Sequence, residues 1–351
     1  MIRRVEIQGY KSIKDLEIDL APINLLIGAN GVGKTNFLSF FVMLRYIYIQ
    51  SLQNYVRRRG GADTLLYYGR KSTNKLSGYV EFGANAYRFT LAPTDQNSLF
   101  IEREESIYLS GENKYYYSNI EESRIKDSDA YRDKWLREGL NSYLRYHFHD
   151  TGVQSPMRVA CIVNDNAMLY PNGSNLPAFL FGLQERAPKA LSRIEKVVAT
   201  VMPGFSHFVL EPREGGQIYL EWVEDNHEDK VFFSSDLSDG SLRFIALATL
   251  LMQPKLPPTI IIDEPELGLH PVAIRTLAGL MKSAAERGCQ LIVSTQSVEL
   301  INNFSAEDII TVDRSEGQSV FRRLQAEELS SWLEEYSIGE LWNKSIINGQ
   351  P

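Results

Sequence analysis

The chain has only two cysteines among its 351 residues, Cys161 and Cys289, far apart and without metal-ligand spacing. That excludes a disulfide framework and a cysteine-built zinc site, and leaves two reduced, packed thiols as the expectation. No apolar run approaches membrane-spanning length, and Met1-Ile2-Arg3-Arg4 is followed by no signal-peptide core. The expected location is therefore the cytoplasm, with no membrane contact. Basic excess is missing too: 37 Lys and Arg stand against 44 Asp and Glu, a formal net charge of −7. A globally basic nucleic-acid coat is excluded, although a local patch is not. Sustained heptads, internal repeats and low-complexity tracts are absent, so no long coiled-coil arm is encoded. What is present, 44% hydrophobic and 23% charged residues, suits a globular chain of one large domain or two smaller ones.

Gly28-Ala29-Asn30-Gly31-Val32-Gly33-Lys34-Thr35 spells G-x-x-x-x-G-K-[ST]. The apolar run Ile23–Ile27 before it reads as a buried parallel strand, and Asn36–Leu44 after it as a largely buried helix. Strand, glycine turn and helix build a phosphate cradle, which a chance glycine turn would not have around it. Gly28, Asn30, Gly31, Gly33 and Asn36 belong to a cradle whose backbone N–H groups and helix N-terminus face an anion. Lys34 is expected to reach the β and γ phosphates, and the Thr35 hydroxyl to meet Mg²⁺. The pattern implies a nucleoside triphosphate.

Thr259-Ile260-Ile261-Ile262-Asp263-Glu264-Pro265 is an apolar strand that ends in two carboxylates. In a parallel sheet such a strand delivers them to the C-terminal edge, where open α/β folds bind ligands. Asp263 is expected to hold Mg²⁺, and Glu264 to take a proton from, or orient, an attacking water. A strand ending in a plain polar turn is the alternative. Upstream, Leu237-Ser238-Asp239-Gly240-Ser241-Leu242-Arg243 precedes the apolar run Phe244–Met252. Ser238 and Gly240 thus fall at a helix N-terminus, suited to a γ-phosphate or to simple N-capping. Asp239 would repel phosphate, so its side chain is expected to turn away or cap the helix.

The order of these segments resembles ABC-type ATPases: the Ser238 segment their L-S-G-G-Q signature, and Asp263–Pro271 their Asp-Glu pair running into the D-loop, with His270 at its last position. Gln296, after the strand Leu291–Ser294, stands where many of them carry a histidine. It can donate a hydrogen bond but cannot shuttle a proton, which implies slower or differently regulated hydrolysis. Ile7-Gln8-Gly9-Tyr10-Lys11-Ser12-Ile13 resembles the N-terminal strand signature of the RecF/SMC/Rad50-like branch. Tyr146–Thr151 and Trp332–Trp342 resemble stand-alone bacterial AAA-family ATPases associated with anti-phage defence or DNA repair. The resemblance covers nearly the whole chain. It implies an α/β P-loop NTPase fold, an ABC-type head with an antiparallel β subdomain and a helical insert. It also implies a homodimer closing on two Mg²⁺ and two ATP, with Lys34, Thr35, Asp263 and Glu264 of one subunit facing Ser238 and Gly240 of the other. Implied partners are a separately encoded nuclease or TOPRIM-like effector and double-stranded DNA. A nucleotide-gated scaffold that sequesters a toxin or effector, and a transporter ATPase subunit, are the alternatives.

Along the chain, residues 1–119 and 201–351 are expected to form the two halves of the head, and 120–200 a mostly helical insert. Helices are expected over Asp129–Tyr146 and Ala187–Val201, a hairpin around Gly83-Ala84-Asn85, and strands at Phe208–Leu210 and Ile218–Trp222. A helix starting at Pro271 should stop near Gly288. Gln96 is the nearest Q-loop candidate, with a turn residue as the competing reading. Arg57-Arg58-Arg59 with Tyr55, Tyr67, Tyr68, Arg70 and Lys71 could meet a nucleic-acid backbone, although a solvated or partner-facing surface fits the acidic net charge better. His147 and His149 share a face on a strand but lack a third ligand in view. Trp332, Leu333, Tyr336, Leu341 and Trp342 either dock the C-terminus on the core or hold a partner subunit.

Overall fold

In the computed structural model, which describes residues 1–111, 114–115, 118–129, 133–225, 227 and 229–349, one helix separates two sheets. The central sheet runs in the order Gln318–Arg323, Ile309–Ser315, Ile23–Ile27, Gln290–Thr295, Thr259–Asp263, Tyr143–Tyr146. All neighbours are parallel except the first pair. Its inner strands are apolar at consecutive positions because both of their faces are covered. Leu26, Ile261, Ile292 and Ile310 point into one core with the helix Lys34–Tyr48. Leu25, Ile27, Ile260, Ile262, Leu291 and Val293 point into the other, against the helices Asp239–Met252 and Pro271–Glu286. Each such fully buried Leu or Ile contributes about 1.5–3 kcal/mol.

The second sheet is antiparallel, in the order Ile13–Asp19, Arg4–Tyr10, Leu76–Phe82, Asn85–Pro93, Leu99–Tyr108, Lys114–Tyr115. Its hairpin turns through Gly83 and Ala84, where the expected hairpin lay. Phe40 of the central helix stacks on Phe89 of this sheet at 6.1 Å, so the helix is gripped from both sides.

Three local expectations change. The helix expected over 129–146 spans Asp133–Asn141, with residues 130–132 outside the described ones. Tyr143–Tyr146 is instead a strand, registered Thr259↔Tyr143 to Ile262↔Tyr146. The reason is long-range: the backbone groups on the free side of Thr259–Asp263 need partners, and local periodicity carries no sign of that need. Residues 120–200 therefore do not stand apart as a helical insert, since they supply the edge strand of the central sheet as well as the helices Leu176–Arg186 and Pro188–Val201. The single strand expected over Ile218–Trp222 is split. Gln217–Ile218 pairs with Cys161–Ile162, while Glu221–Glu224 pairs with Phe205–Val209 and Val231–Phe233.

At the C-terminus, Leu341 and Trp342 are fully buried, whereas Trp332 is 44% exposed. Trp342 donates its indole N–H to the carbonyl of Gly349. Docking thus rests on Leu341 and Trp342 of the helix Ile338–Asn343, with Leu333 and Tyr336 partly buried against the same core, and leaves out Trp332. Trp342→Ala should cost about 3–5 kcal/mol of stability through the cavity it leaves, and Trp332→Ala less than about 0.5 kcal/mol; urea unfolding of the two variants beside wild type checks the contrast.

Candidate functional site

Strand register brings the chemistry together. Ile27 lies opposite Thr295, and Ser294 opposite Asp263. The segments that follow these strands, the glycine turn, Glu264 and Gln296, therefore leave the sheet side by side at one edge. Sequence separations of more than 200 residues collapse there into hydrogen-bond distance.

The cradle is shaped by backbone. Gly33 has φ +121°, and a Cβ on it would collide with the hydroxyls of Ser319 and Ser12, so only glycine fits. The helix Lys34–Tyr48 begins there without a side-chain cap or an acidic residue in its first turn. Its first N–H groups and its dipole are thus left to an anion. Ala29, Asn30, Gly31, Gly33, Lys34, Thr35, Asn36 and Glu264 line a small cavity of about 120 Å³ at this point. Lys34 folds over it, donating from Nζ to the carbonyl oxygens of Gly28 and, at 2.9 Å, of Ala29. Burial lowers its pKa, while Glu264, Asp263 and Glu266 pull the other way. Asn36 turns toward Ser12 Oγ at 2.8 Å.

The carboxylates are held separately. Asp263 accepts a hydrogen bond from Ser294 Oγ and an ion pair from Arg145 Nη2 at 2.9 Å. Glu264 has φ +41°, strained for a residue with a Cβ, and its N–H donates to the Ser294 carbonyl at 2.9 Å. Gln296 Nε2 donates to Glu264 Oε1 at 2.5 Å and to Asn30 Oδ1 at 2.7 Å, tying the end of the strand Gln290–Thr295 to the carboxylate and the cradle. Glu266 lies beneath: Oε1 accepts from Thr295 Oγ1 at 2.5 Å and from the Gln296 N–H at 3.1 Å, and burial raises its pKa.

Ser238 caps the helix Asp239–Met252, accepting from the Ser241 N–H at 3.0 Å. Asp239 turns aside to Arg158 at 3.0 Å. Gly240 presses on the carbonyl of Gly268, where any Cβ would collide, so the start of the helix Asp239–Met252 and the segment before Pro271 share one surface. Ser238 and Gly240 do not line the cradle cavity of their own chain. His270 caps the helix Pro271–Glu286, which ends just before Gly288 at φ +86°. Gln96 sits in the turn between the strands Asn85–Pro93 and Leu99–Tyr108, and does not line the cradle cavity. The loop beside Asp263 instead carries His147-Phe148-His149, held by Arg243, whose Nε donates to the Phe148 carbonyl at 3.0 Å.

A larger cavity of about 890 Å³ adjoins the cradle through Ser12 and Asn36, with Lys11, Tyr68, Arg70 and Arg314 on its walls. Part of the expected basic aromatic stretch thus belongs to this cavity, with Arg70 paired to Asp63 at 3.1 Å. Lys11 donates to Ser39 Oγ at 2.9 Å, and its pKa is lowered to about 8 by burial, then by Arg59 and Arg145. Arg145, Arg243, Ser294 and Glu266 were not among the sequence candidates. Only Glu266 carries a local signal, as a third carboxylate in the Asp263–Pro271 run. The arrangement can hold a polyphosphate over the glycine turn, a divalent cation near Asp263 and Thr35, and a water near Glu264.

Residues 23–302 match the family described as "AAA domain, putative AbiEii toxin, Type IV TA system". The fold is that of SMC heads. The crystal structure of an Smc head bound to the C-winged helix domain of ScpA superposes with a TM-score of 0.59 at 18% identity, covering 93% of this chain and 99% of that one. A Pyrococcus furiosus Smc head with an extended coiled coil, bound to the C-terminal domain of ScpA, gives 0.59 at 18% over 95% and 98%. Among curated proteins, the energy-coupling factor transporter ATP-binding protein EcfA2 of Streptococcus pyogenes serotype M3 is 27% identical over 139 residues. That stretch is 38% of this chain and 48% of the relative, so the chain spans about half the length of the curated relatives it matches.

The Lys11 amine should titrate near pH 8, and Arg59→Gln should raise its midpoint; pH-resolved amine labelling reads both. With the folded pKa below the ordinary 10.5, the unfolded chain binds the extra proton between about 8 and 10.5. Stability from this group therefore rises with pH across that window, and the stability difference between wild type and Lys11→Met should move toward wild type there.

Proposed function

The chain belongs to this family of AAA domains with an SMC-type head fold, and from that premise we propose that it is an ATPase whose two copies close on two molecules of ATP. The observation that supports it most is the convergence at one sheet edge of Lys34, Asp263, Glu264 and Gln296, from three separate strands. In this reading the turn Gly28–Gly33 and the first turn of its helix receive the phosphates, and Lys34 leaves the Gly28 and Ala29 carbonyls to meet them. The adjoining cavity beside Ser12 and Asn36 offers room for the nucleoside.

The donor set suits Mg²⁺, a hard cation that takes one or two carboxylates plus phosphate oxygens: Thr35 and Asp263 would hold it, and it would neutralise charge on the β and γ phosphates. Asp263 must then give up its ion pair with Arg145. Glu264 accepts the proton of the attacking water, its direction fixed by the strained backbone and by Gln296. Gln296 orients that water without accepting its proton. Ser238 and Gly240 of the second copy complete the site, where the helix Asp239–Met252 starts.

The ATPase would act as a conformational switch in DNA repair or anti-phage defence, in the cytoplasm, with a separate nuclease or TOPRIM-like effector and double-stranded DNA. A gate that sequesters a toxin or effector protein is the rival output. Steady-state hydrolysis with and without duplex DNA, beside light scattering, tests the reading. Glu264→Gln should cut turnover by about 10²–10⁴ while retaining ATP and accumulating the dimer, and Lys34→Ala should lose ATP binding. Stimulation by DNA supports the DNA-linked switch, and indifference to DNA favours the protein gate. Wild-type protein without hydrolysis would overturn the catalytic assignment.

A further inference from the structure

Beyond the cradle, the helix Lys34–Tyr48 borders a separate cavity of about 540 Å³, within the range of small-molecule sites. Three arginines, Arg45, Arg59 and Arg145, and two histidines, His147 and His149, line it, and no carboxylate does. The rest of its wall is largely apolar and includes Phe41, Tyr46, Pro171 and Ile261. None of these residues lines the cradle cavity or the larger one beside it.

The lining is under-satisfied. Arg145 Nε and Tyr143 Oη are buried without a hydrogen-bond partner, and Tyr143 is 2% exposed. Among the described residues Arg45 reaches only the Asn141 side-chain oxygen, and Arg59 meets Tyr55, over its ring at 5.5 Å and by a hydrogen bond to its hydroxyl. The two buried groups, Arg145 Nε and Tyr143 Oη, are costly unless a partner meets them. Convergent guanidinium groups suit phosphate oxygens, which they bind through paired charge-assisted hydrogen bonds. The same positive field reaches the neighbours: burial first, then Arg145 and His149, hold the His147 imidazole below its ordinary pKa.

We propose that this cavity is a second anion site, distinct from the cradle, that takes a nucleoside monophosphate group. The phosphate sits among Arg45, Arg59 and Arg145, and the base lies against Tyr46 and Pro171. The group could arrive as a free mononucleotide or as the phosphorylated end of a nucleic-acid strand, and the chemistry of recognition is the same. Because Arg145 also holds Asp263 at 2.9 Å, an occupant of this cavity shares a residue with the carboxylate strand.

Calorimetric titration of the full-length chain carrying Lys34→Ala tests the site apart from the cradle. AMP and a 5′-phosphorylated oligonucleotide are the two probes, with adenosine as the control. Binding of either phosphorylated probe, with adenosine inert, supports the site and identifies the source. Arg59→Gln in that background should weaken binding about tenfold or more; Arg59 is exposed, so its unfolding midpoint should stay put. Arg45→Gln should act in the same direction. The proposal fails if neither probe binds the Lys34→Ala chain, if adenosine binds as well as AMP, or if both arginine variants bind like their parent. Failure of ATP hydrolysis in wild type would leave this titration unaffected.

Discussion

Every contact at the site depends on the register of three neighbouring parallel strands. Because Ile27 is level with Thr295, and Ser294 with Asp263, the glycine turn, the carboxylates and Gln296 emerge at one height. A one-residue slip would turn each apolar side chain of a strand to the opposite core. Such a slip would force both close-packed cores to repack, since Leu26, Ile261 and Ile292 fill one core while Leu25, Ile260 and Leu291 fill the other. The packing that makes the sheet stable is thus what fixes the geometry at its edge.

Charge at that edge is balanced in a chain of contacts. Arg145 holds Asp263, Gln296 holds Glu264, and Lys34 is satisfied by two carbonyl oxygens. Glu266 takes no direct part, yet it anchors Thr295 and the Gln296 backbone from below. Binding a polyphosphate and a cation in the proposed manner would exchange these internal partners for external ones. Arg145 also leads from this edge into the loop His147-Phe148-His149, which Arg243 of the helix Asp239–Met252 holds through the Phe148 and His149 carbonyls.

The motifs with fixed spacing were legible in the sequence: the cradle, the apolar strand ending in Asp263-Glu264, and the capped helix start at Ser238. Each depends on neighbours within a dozen residues, so local chemistry is enough to read it. The edge strand Tyr143–Tyr146 was not legible, because helix-like spacing across 129–146 hid it and its partner lies over a hundred residues away. Gln96 takes the turn reading, between two antiparallel strands, since nearness in sequence to the cradle says nothing about which loop borders Asp263.

By itself the sequence determined the class of chemistry, since a glycine turn with Lys34 and Thr35 can cradle phosphate only in a strand–turn–helix setting that the flanking residues also encode. It determined, too, that Asp239 could not face a phosphate, and the structure turns that carboxylate to Arg158. Only the tertiary structure decided which groups share a site. Arg145 meets Asp263, Glu266 meets Thr295, and three arginines and two histidines line one cavity. The physical reason is that side-chain convergence is set by strand order and register, which are properties of the packed cores and not of any one stretch of chain.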